Sequence, residues 1–244
     1  MRISRFYLPE RYVSGSSLEL SKEQAHYALT VLRLKDGHQI EVFDGKGHFA
    51  SAVIQHTSRR SANVVLEEVQ TAVNESPLKT VLLQGISKGD RMDYSIQKAV
   101  ELGVGSIQPL FTERVDVKLQ GDKLEKRRAQ WQSIAINACE QSGRAFVPEI
   151  LPLISLEEYL ANNTVEFGIV CDPYAEHTIA SLPPPNLDRP VTILVGPEGG
   201  LSEKEVMKAE QNGFSTVRLG PRILRTETAG PAMLTIAQAL WGDF

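Results

Sequence analysis

The chain has 244 residues, 42% hydrophobic and 23% charged, which supplies ordinary cores and excludes a chain disordered throughout. A formal net charge of −4 excludes a protein that coats nucleic acid through bulk positive charge, so any such contact must be local. The length fits one or two domains, and the patterns along the chain favour two.

The start, Met1-Arg2-Ile3-Ser4-Arg5-Phe6-Tyr7, carries charge where a signal peptide needs an apolar stretch. No later apolar run approaches membrane-spanning length, so a soluble protein is expected, and the isolated Cys139 and Cys171 fit a reducing, cytoplasmic setting. From Arg2 to about Gln70 the pattern is mostly that of strands: Ile3 to Tyr7, Gln39 to Phe43, Phe49 to Ile54 and Ala62 to Val69. Asp44-Gly45 marks a hairpin. One helix interrupts the strands, capped by Ser21 with Gln24 three residues on, and runs through Ala25, Leu29 and Leu32. A compact β-barrel module over residues 1–72 is the expectation.

Thr71-Ala72-Val73-Asn74-Glu75-Ser76-Pro77 lacks periodicity and ends in proline, which makes it the linker candidate. Across residues 73–244 the grammar changes. Short buried-strand runs at Val81 to Leu83, Ser106 to Leu110, Phe167 to Cys171 and Val191 to Val195 alternate with helical stretches at Arg91 to Leu102, Lys123 to Gln141 and Ser202 to Gln211. That alternation predicts an α/β domain with a largely parallel sheet. Lys123, Lys126, Arg127 and Arg128 lie on a predicted helix and read as a solvated face; Arg2 with Arg5, and Arg59 with Arg60, are the other basic patches.

Chemistry concentrates at two bends. Val191-Thr192-Ile193-Leu194-Val195 runs into Gly196-Pro197-Glu198-Gly199-Gly200 and then the capping box Ser202 with Glu205. Ligands bind beyond the carboxyl ends of strands in such sheets, and glycines there let backbone amides approach closely. GxGxxG is absent and no Lys-Ser or Lys-Thr follows the glycines, so a nucleotide phosphate is not the indicated ligand. A plain tight turn explains this segment alone equally well. The second bend, Leu219-Gly220-Pro221-Arg222-Ile223-Leu224-Arg225-Thr226-Glu227-Thr228-Ala229, shifts that balance, because its polar density exceeds what solubility requires. A helix capped by Thr226 or Thr228 accounts for the threonines but poorly for Arg225.

Together these bends resemble the ribosomal RNA small subunit methyltransferase E family, SPOUT-class enzymes that methylate N3 of a uridine in 16S ribosomal RNA. The resemblance extends to Lys98-Ala99-Val100-Glu101-Leu102-Gly103-Val104, Thr112-Glu113-Arg114, Ala138-Cys139-Glu140-Gln141-Ser142-Gly143-Arg144, Val147-Pro148, Val31-Leu32-Arg33 and Phe43-Asp44-Gly45. It implies a PUA-like N-terminal domain, a C-terminal domain with a trefoil knot, a homodimer, and S-adenosyl-L-methionine held by the two bends. The cofactor contacts so implied are Val195, Gly196, Pro197, Glu198, Gly199, Gly200, Leu219, Gly220, Ile223, Leu224, Arg225, Thr226 and Ala229. Two departures from the family pattern stand out: Val115-Asp116 after Arg114, and Gly230-Pro231, which predicts that the final helix starts late, with Pro231 in its first turn.

Uracil N3 is mostly protonated at neutral pH, so the expected reaction needs a proton acceptor or a cation for the developing anion. Arg225 is the candidate for the anion and Glu227 for the proton or for orienting the arginine. Glu140 and Arg144 are second candidates, with a dipole-matched helix end as the equal alternative. Lys88, Arg91 and Arg114 read as phosphate contacts, and Arg2, Arg5 and Arg33 as RNA contacts of the N-terminal module. The five histidines and the cysteines Cys139 and Cys171 stand at no ligand spacing, so no metal and no disulfide is expected. Trp241 and Phe244 suit a dimer contact or the core. Competing readings are a non-catalytic ribosome-assembly factor, against which the intact glycine bends speak, and a nucleotide-dependent dehydrogenase, which lacks its fingerprint.

Overall fold

The computed structural model describes residues 3–56, 58, 61–115 and 121–244. Arg2, Arg59, Arg60 and Asp116 lie outside them. The chain forms two units, Met1–Glu75 with Cys139–Val147, and Ser76–Ala138 with Pro148–Phe244.

The first unit holds β1 (Arg5–Tyr7), β2 (Ser17–Glu19), α1 (Lys22–His26), β3 (Gln39–Phe43), β4 (His48–His56) and β5 (Ala62–Thr71). Their sheet order is β1-β3-β4-β5-β2. β1 runs parallel to β3, with Phe6 opposite Val42, and the other pairings are antiparallel. Alternation sends Ile40, Val42, Ala52, Ile54, Val64 and Leu66 into one core with Phe6, Leu8 and Leu20. At Ser21 the expected capping box forms: its hydroxyl accepts from the Gln24 amide, and the Gln24 side chain accepts from the Ser21 N–H. The helix then widens into a π-turn over Tyr27–Val31, and Arg33 just beyond it takes a left-handed φ of 54°.

Two arginines of this unit face inward. Arg5 pairs with Glu41, donates to the carbonyls of Cys139 (2.9 Å) and Arg144 (3.2 Å), and lies over the Phe43 ring. Arg144 is buried at 5% exposure and grips Glu75 through Nε (3.1 Å) and Nη2 (2.6 Å). Removing one partner of a buried charge pair leaves the other uncompensated. Glu75→Ala is therefore expected to lower stability by about 1–3 kcal/mol, read as a fall in denaturation midpoint at unchanged m-value. An unchanged midpoint would show that water replaces the carboxylate at no cost.

The second unit is built on β6 (Thr80–Gly85), β7 (Ser106–Phe111), β8 (Glu149–Ile150), β9 (Ile154–Ser155), β10 (Phe167–Cys171), β11 (Val191–Val195) and β12 (Phe214–Val217). All are parallel, in the order β12-β10-β11-β6-β7-β8, with β9 beside β7. From β6 the chain steps outward through β7 and β8, then crosses to β6's other side as β10, and β11 enters between β10 and β6. Such a reversal of strand order opens a crevice beyond the carboxyl ends of the strands. The helices are α2 (Asp90–Glu101), α3 (Asp122–Ser142), α4 (Leu156–Asn162), α5 (Glu203–Gln211) and α6 (Thr226–Trp241). Trp131 of α3 is fully buried and donates to Asp93 of α2, while Trp241 packs edge-on against Phe167. No helix among the described residues is long and apolar enough to cross a membrane.

One expectation is overturned. α6 begins at Thr226, so Pro231 lies inside the helix and not in its first turn. Proline has no N–H to offer the carbonyl of Glu227, four residues back.

Candidate cofactor and RNA site

At the carboxyl end of the second sheet three loops enclose a cavity of about 940 Å³. The first is Gly196 to Leu201, following Val195 of the wholly buried β11. The second is Ile223 to Glu227, running into α6. The third, Cys171 to Tyr174, follows β10, and the motif reading missed it.

Close backbone packing shapes the first loop. A Cβ on Gly196 would lie 2.9 Å from Gly200 C and Leu201 N, and one on Gly199 would lie 3.0 Å from Arg114 Cβ. Gly200 takes a φ of 70°, which a side chain disfavours. Ser202 and Glu205 form the expected capping box, and the second Glu205 oxygen accepts the Glu113 N–H at 2.8 Å. That carboxylate ties the exit of the loop to the end of β7.

A buried hydroxyl clasps the first and second loops together. Thr226 Oγ1 donates to the Gly196 carbonyl at 2.7 Å and accepts from the Gln84 amide at 2.9 Å. Arg225 occupies the N-cap position of α6 without a capping side chain, so neither Thr226 nor Thr228 serves as the cap. Leu224 and Ala229 complete this wall. Leu219 and Gly220 do not line the cavity; Gly220 turns the chain with a φ of 78°.

The charged groups fall into a pattern. Glu198 accepts from the Lys88 N–H (2.9 Å) and from Arg91 Nη1 (2.8 Å). Burial opposes its charge, but the Lys88 N–H and the Arg91 guanidinium outweigh that and hold its carboxyl below the usual range. Arg114 donates to the Gly199 carbonyl at 3.1 Å. Lys88, Arg91, Arg114, Glu198 and Gly199 line an adjoining recess of about 410 Å³, so the residues read as phosphate contacts share one rim. Arg225 lies exposed on the cavity wall, and among the described residues its guanidinium has no hydrogen-bond or ion-pair partner. Glu227 approaches Arg91 Nε at 3.9 Å through Oε1, whereas its Oε2 is buried and, among the described residues, has no hydrogen-bond partner. Desolvation pushes the Cys171 thiol up to about 12, which leaves it protonated and a poor nucleophile.

Other candidates lie in the first unit. Glu140 accepts the Tyr7 N–H at 3.1 Å, burial raising its carboxyl pKa, and Arg144 is committed to Glu75. Arg5 is engaged internally, as described above, and Arg33 is exposed. No cluster of possible metal ligands occurs among the described residues.

Comparison with known proteins places this architecture. Residues 74–238 match the family model of the RNA methyltransferase domain, and residues 20–67 that of the RNA methyltransferase PUA domain. The ribosomal RNA small subunit methyltransferase E of Buchnera aphidicola is 37% identical, with 99% of this chain and 98% of that protein covered. The crystal structure of the Neisseria gonorrhoeae enzyme of that name, bound to S-adenosyl methionine, superposes with a TM-score of 0.93 at 41% identity over the whole of both chains. A Legionella pneumophila structure in complex with the bound cofactor SAM gives a TM-score of 0.95 at 38% identity, again over both whole chains. Both domains, the parallel sheet and full-length similarity agree that the chain belongs to the ribosomal RNA small subunit methyltransferase E family.

Proposed function

We propose that this protein transfers a methyl group from S-adenosyl-L-methionine to N3 of a uridine in 16S ribosomal RNA, within free RNA or the assembled small subunit. The observation that carries this reading is one cavity walled by Gly196 to Leu201 of the first bend and by Ile223 to Glu227 and Ala229 of the second, joined through Thr226 and Gly196. Its volume suits a nucleoside-sized ligand. Close packing at Gly196 and Gly199, where an added Cβ would meet Gly200, Leu201 and Arg114, holds the first bend in a compact turn at the cavity wall. Val195 to Gly200, with Leu224, Thr226 and Ala229, would hold the cofactor, and in this reading the bends are the knot loops of a SPOUT-class domain.

When bound, S-adenosylmethionine supplies a methyl group already activated as a sulfonium. The chain's own tasks are then to align the uracil ring, exclude water and manage one proton. Glu227 Oε2 accepts the N3 proton, and Arg225 stabilises the negative charge that develops on the base. Lys88, Arg91 and Arg114 hold phosphates on the rim. The N-terminal unit contributes further RNA contacts, with Arg33 exposed for that purpose. The working form is a homodimer, to which the exposed Leu240 and Phe244 near the end of α6 are suited; a monomer in sedimentation at micromolar concentration would overturn that part.

Two measurements test the core of the reading. At a hundred times its dissociation constant, S-adenosylmethionine should add about 2.7 kcal/mol of apparent stability, and NAD should add none. Incubation with labelled methyl donor and unmodified small subunits should then place the label on N3 of one uridine. Label on another atom, or no transfer, would overturn the assignment.

A further inference from the structure

The third loop has no role in the scheme above, although it forms part of the cavity wall. Its tip is Tyr174, 83% exposed. The backbone beneath it is fixed: the Asp172 N–H donates to Val217, the Asp172 side chain accepts the Tyr174 N–H at 2.9 Å, and the Ala175 N–H donates to the Asp172 carbonyl. Pro173 adds a restricted φ between them. A large aromatic ring is thus presented to solvent from a rigid turn. Two more apolar side chains, Met207 of α5 and Ile223 of the second loop, are exposed at 58% and 71% and line the same cavity.

Exposed apolar groups scattered singly need no explanation, whereas three from separate elements around one cavity mark a ligand surface. The recess beside the collar narrows the choice of ligand. Arg91, Arg114 and Arg225 share the cavity wall with Asp172, Glu198, Glu203 and Glu227, whereas in the adjoining recess Lys88, Arg91 and Arg114 stand with one carboxylate, Glu198. One aromatic ring with two aliphatic neighbours, edged by cations, matches a single-stranded polynucleotide, whose bases stack on aromatic faces while its phosphates meet arginine and lysine. N3 lies on the pairing edge of uracil, so the base must leave its stack before it can react, and a replacement stacking partner offsets that loss.

We propose that Tyr174, flanked by Met207 and Ile223, is the stacking platform for an unstacked RNA base at the mouth of the cavity. This rests on the proposed RNA methylation but names a distinct subsite, and its test needs no turnover. Oligouridylate and an abasic ribose-phosphate oligomer of equal length carry the same charge, so their affinity ratio reports base stacking with the phosphate contribution removed. Measured by fluorescence anisotropy with saturating S-adenosylmethionine, the protein should bind oligouridylate roughly ten-fold more tightly. Tyr174→Ala should bring the ratio close to one, and Tyr174→Phe or Tyr174→Trp should retain it. Truncating so exposed a side chain leaves the core intact, which an unchanged melting temperature would verify.

A ratio that Tyr174→Ala leaves unchanged overturns the proposal. So does a preference that vanishes once S-adenosylmethionine fills the cavity, or a Tyr174→Ala variant that loses cofactor affinity instead, since either result assigns the ring to the adenosyl group. Failure of the methylation reading appears separately, as an intact protein that stacks bases but transfers no methyl group.

Discussion

Replacing Glu227 with glutamine is expected to lower the turnover number for methyl transfer by about 10²- to 10⁴-fold. Cofactor affinity should stay near the wild-type value. Glu227 is the second residue of α6, and its Oε1 lies 3.9 Å from Arg91 Nε. Oε2 is buried without a donor, a state that costs about 1–3 kcal/mol when nothing compensates it. A buried acceptor without a donor, on a residue of the cavity wall, is what the site needs if its hydrogen arrives with the substrate. Glutamine keeps the shape and the polarity of the side chain but cannot take up the N3 proton. Single-turnover kinetics with saturating S-adenosylmethionine separate this from a binding defect: a lost chemical step with an unchanged KM supports proton acceptance. A Glu227→Gln enzyme with full turnover would move proton acceptance to another group and leave Arg225 its part in stabilising the anion.

Much of the scaffold was legible because its signals are local. Gln39 to Phe43, Phe167 to Cys171 and Val191 to Val195 are strands with the expected bounds, the first alternating polar and apolar residues and the other two mainly apolar runs, each with a polar or turn-forming segment beyond it. The capping boxes at Ser21 and Ser202 were equally direct, since a hydroxyl and a carboxamide or carboxylate three residues apart satisfy helix-end amides from the side chains alone. Strands as short as Ser17–Glu19, Glu149–Ile150 and Ile154–Ser155 carry no period to read. Their existence depends on the neighbours they pair with.

Charge was harder to interpret than hydrophobicity. Arg5 stands in a basic N-terminal stretch, but Glu41 and the carbonyls of Cys139 and Arg144 that engage it are 36 to 139 positions away. Nothing local announces such partners, and Cys139–Val147 joins the first unit for the same reason. In the site, the first and second loops were marked by glycine, proline and dense polarity. The loop at Asp172 to Tyr174 has no glycine, and its one available sign was its place after a buried strand, where ligands of parallel sheets collect. At α6 the proline rule gave the wrong start, because losing one amide bond near a helix end costs less than abandoning the turn that sets Thr226 against Gly196.

Gly85→Ala should weaken S-adenosylmethionine binding by at least about ten-fold and lower stability by about 1–3 kcal/mol, the usual cost of forcing a methyl group into packed space. Gly85 ends β6, outside both glycine-rich bends, yet it sets how closely the first bend can approach the sheet. A Cβ there would lie 2.6 Å from Pro197 N, 2.7 Å from Pro197 Cδ and 2.9 Å from Gly196 C. None of these atoms can rotate away, since two are backbone and the third belongs to a closed ring. Relief therefore requires the whole bend to move, and that movement pulls on the 2.7 Å bond from Thr226 to the Gly196 carbonyl, opening the cradle on both sides. Gly15→Ala provides the contrast. Gly15 also has a positive φ, 79°, but nothing lies within 4 Å of its Cβ position, so the substitution should cost only backbone strain of about 1 kcal/mol and leave cofactor binding intact. Calorimetric titration of both variants decides the matter: equal affinities would mean that the first bend shifts freely and that its fit against β6 has no part in holding the ligand.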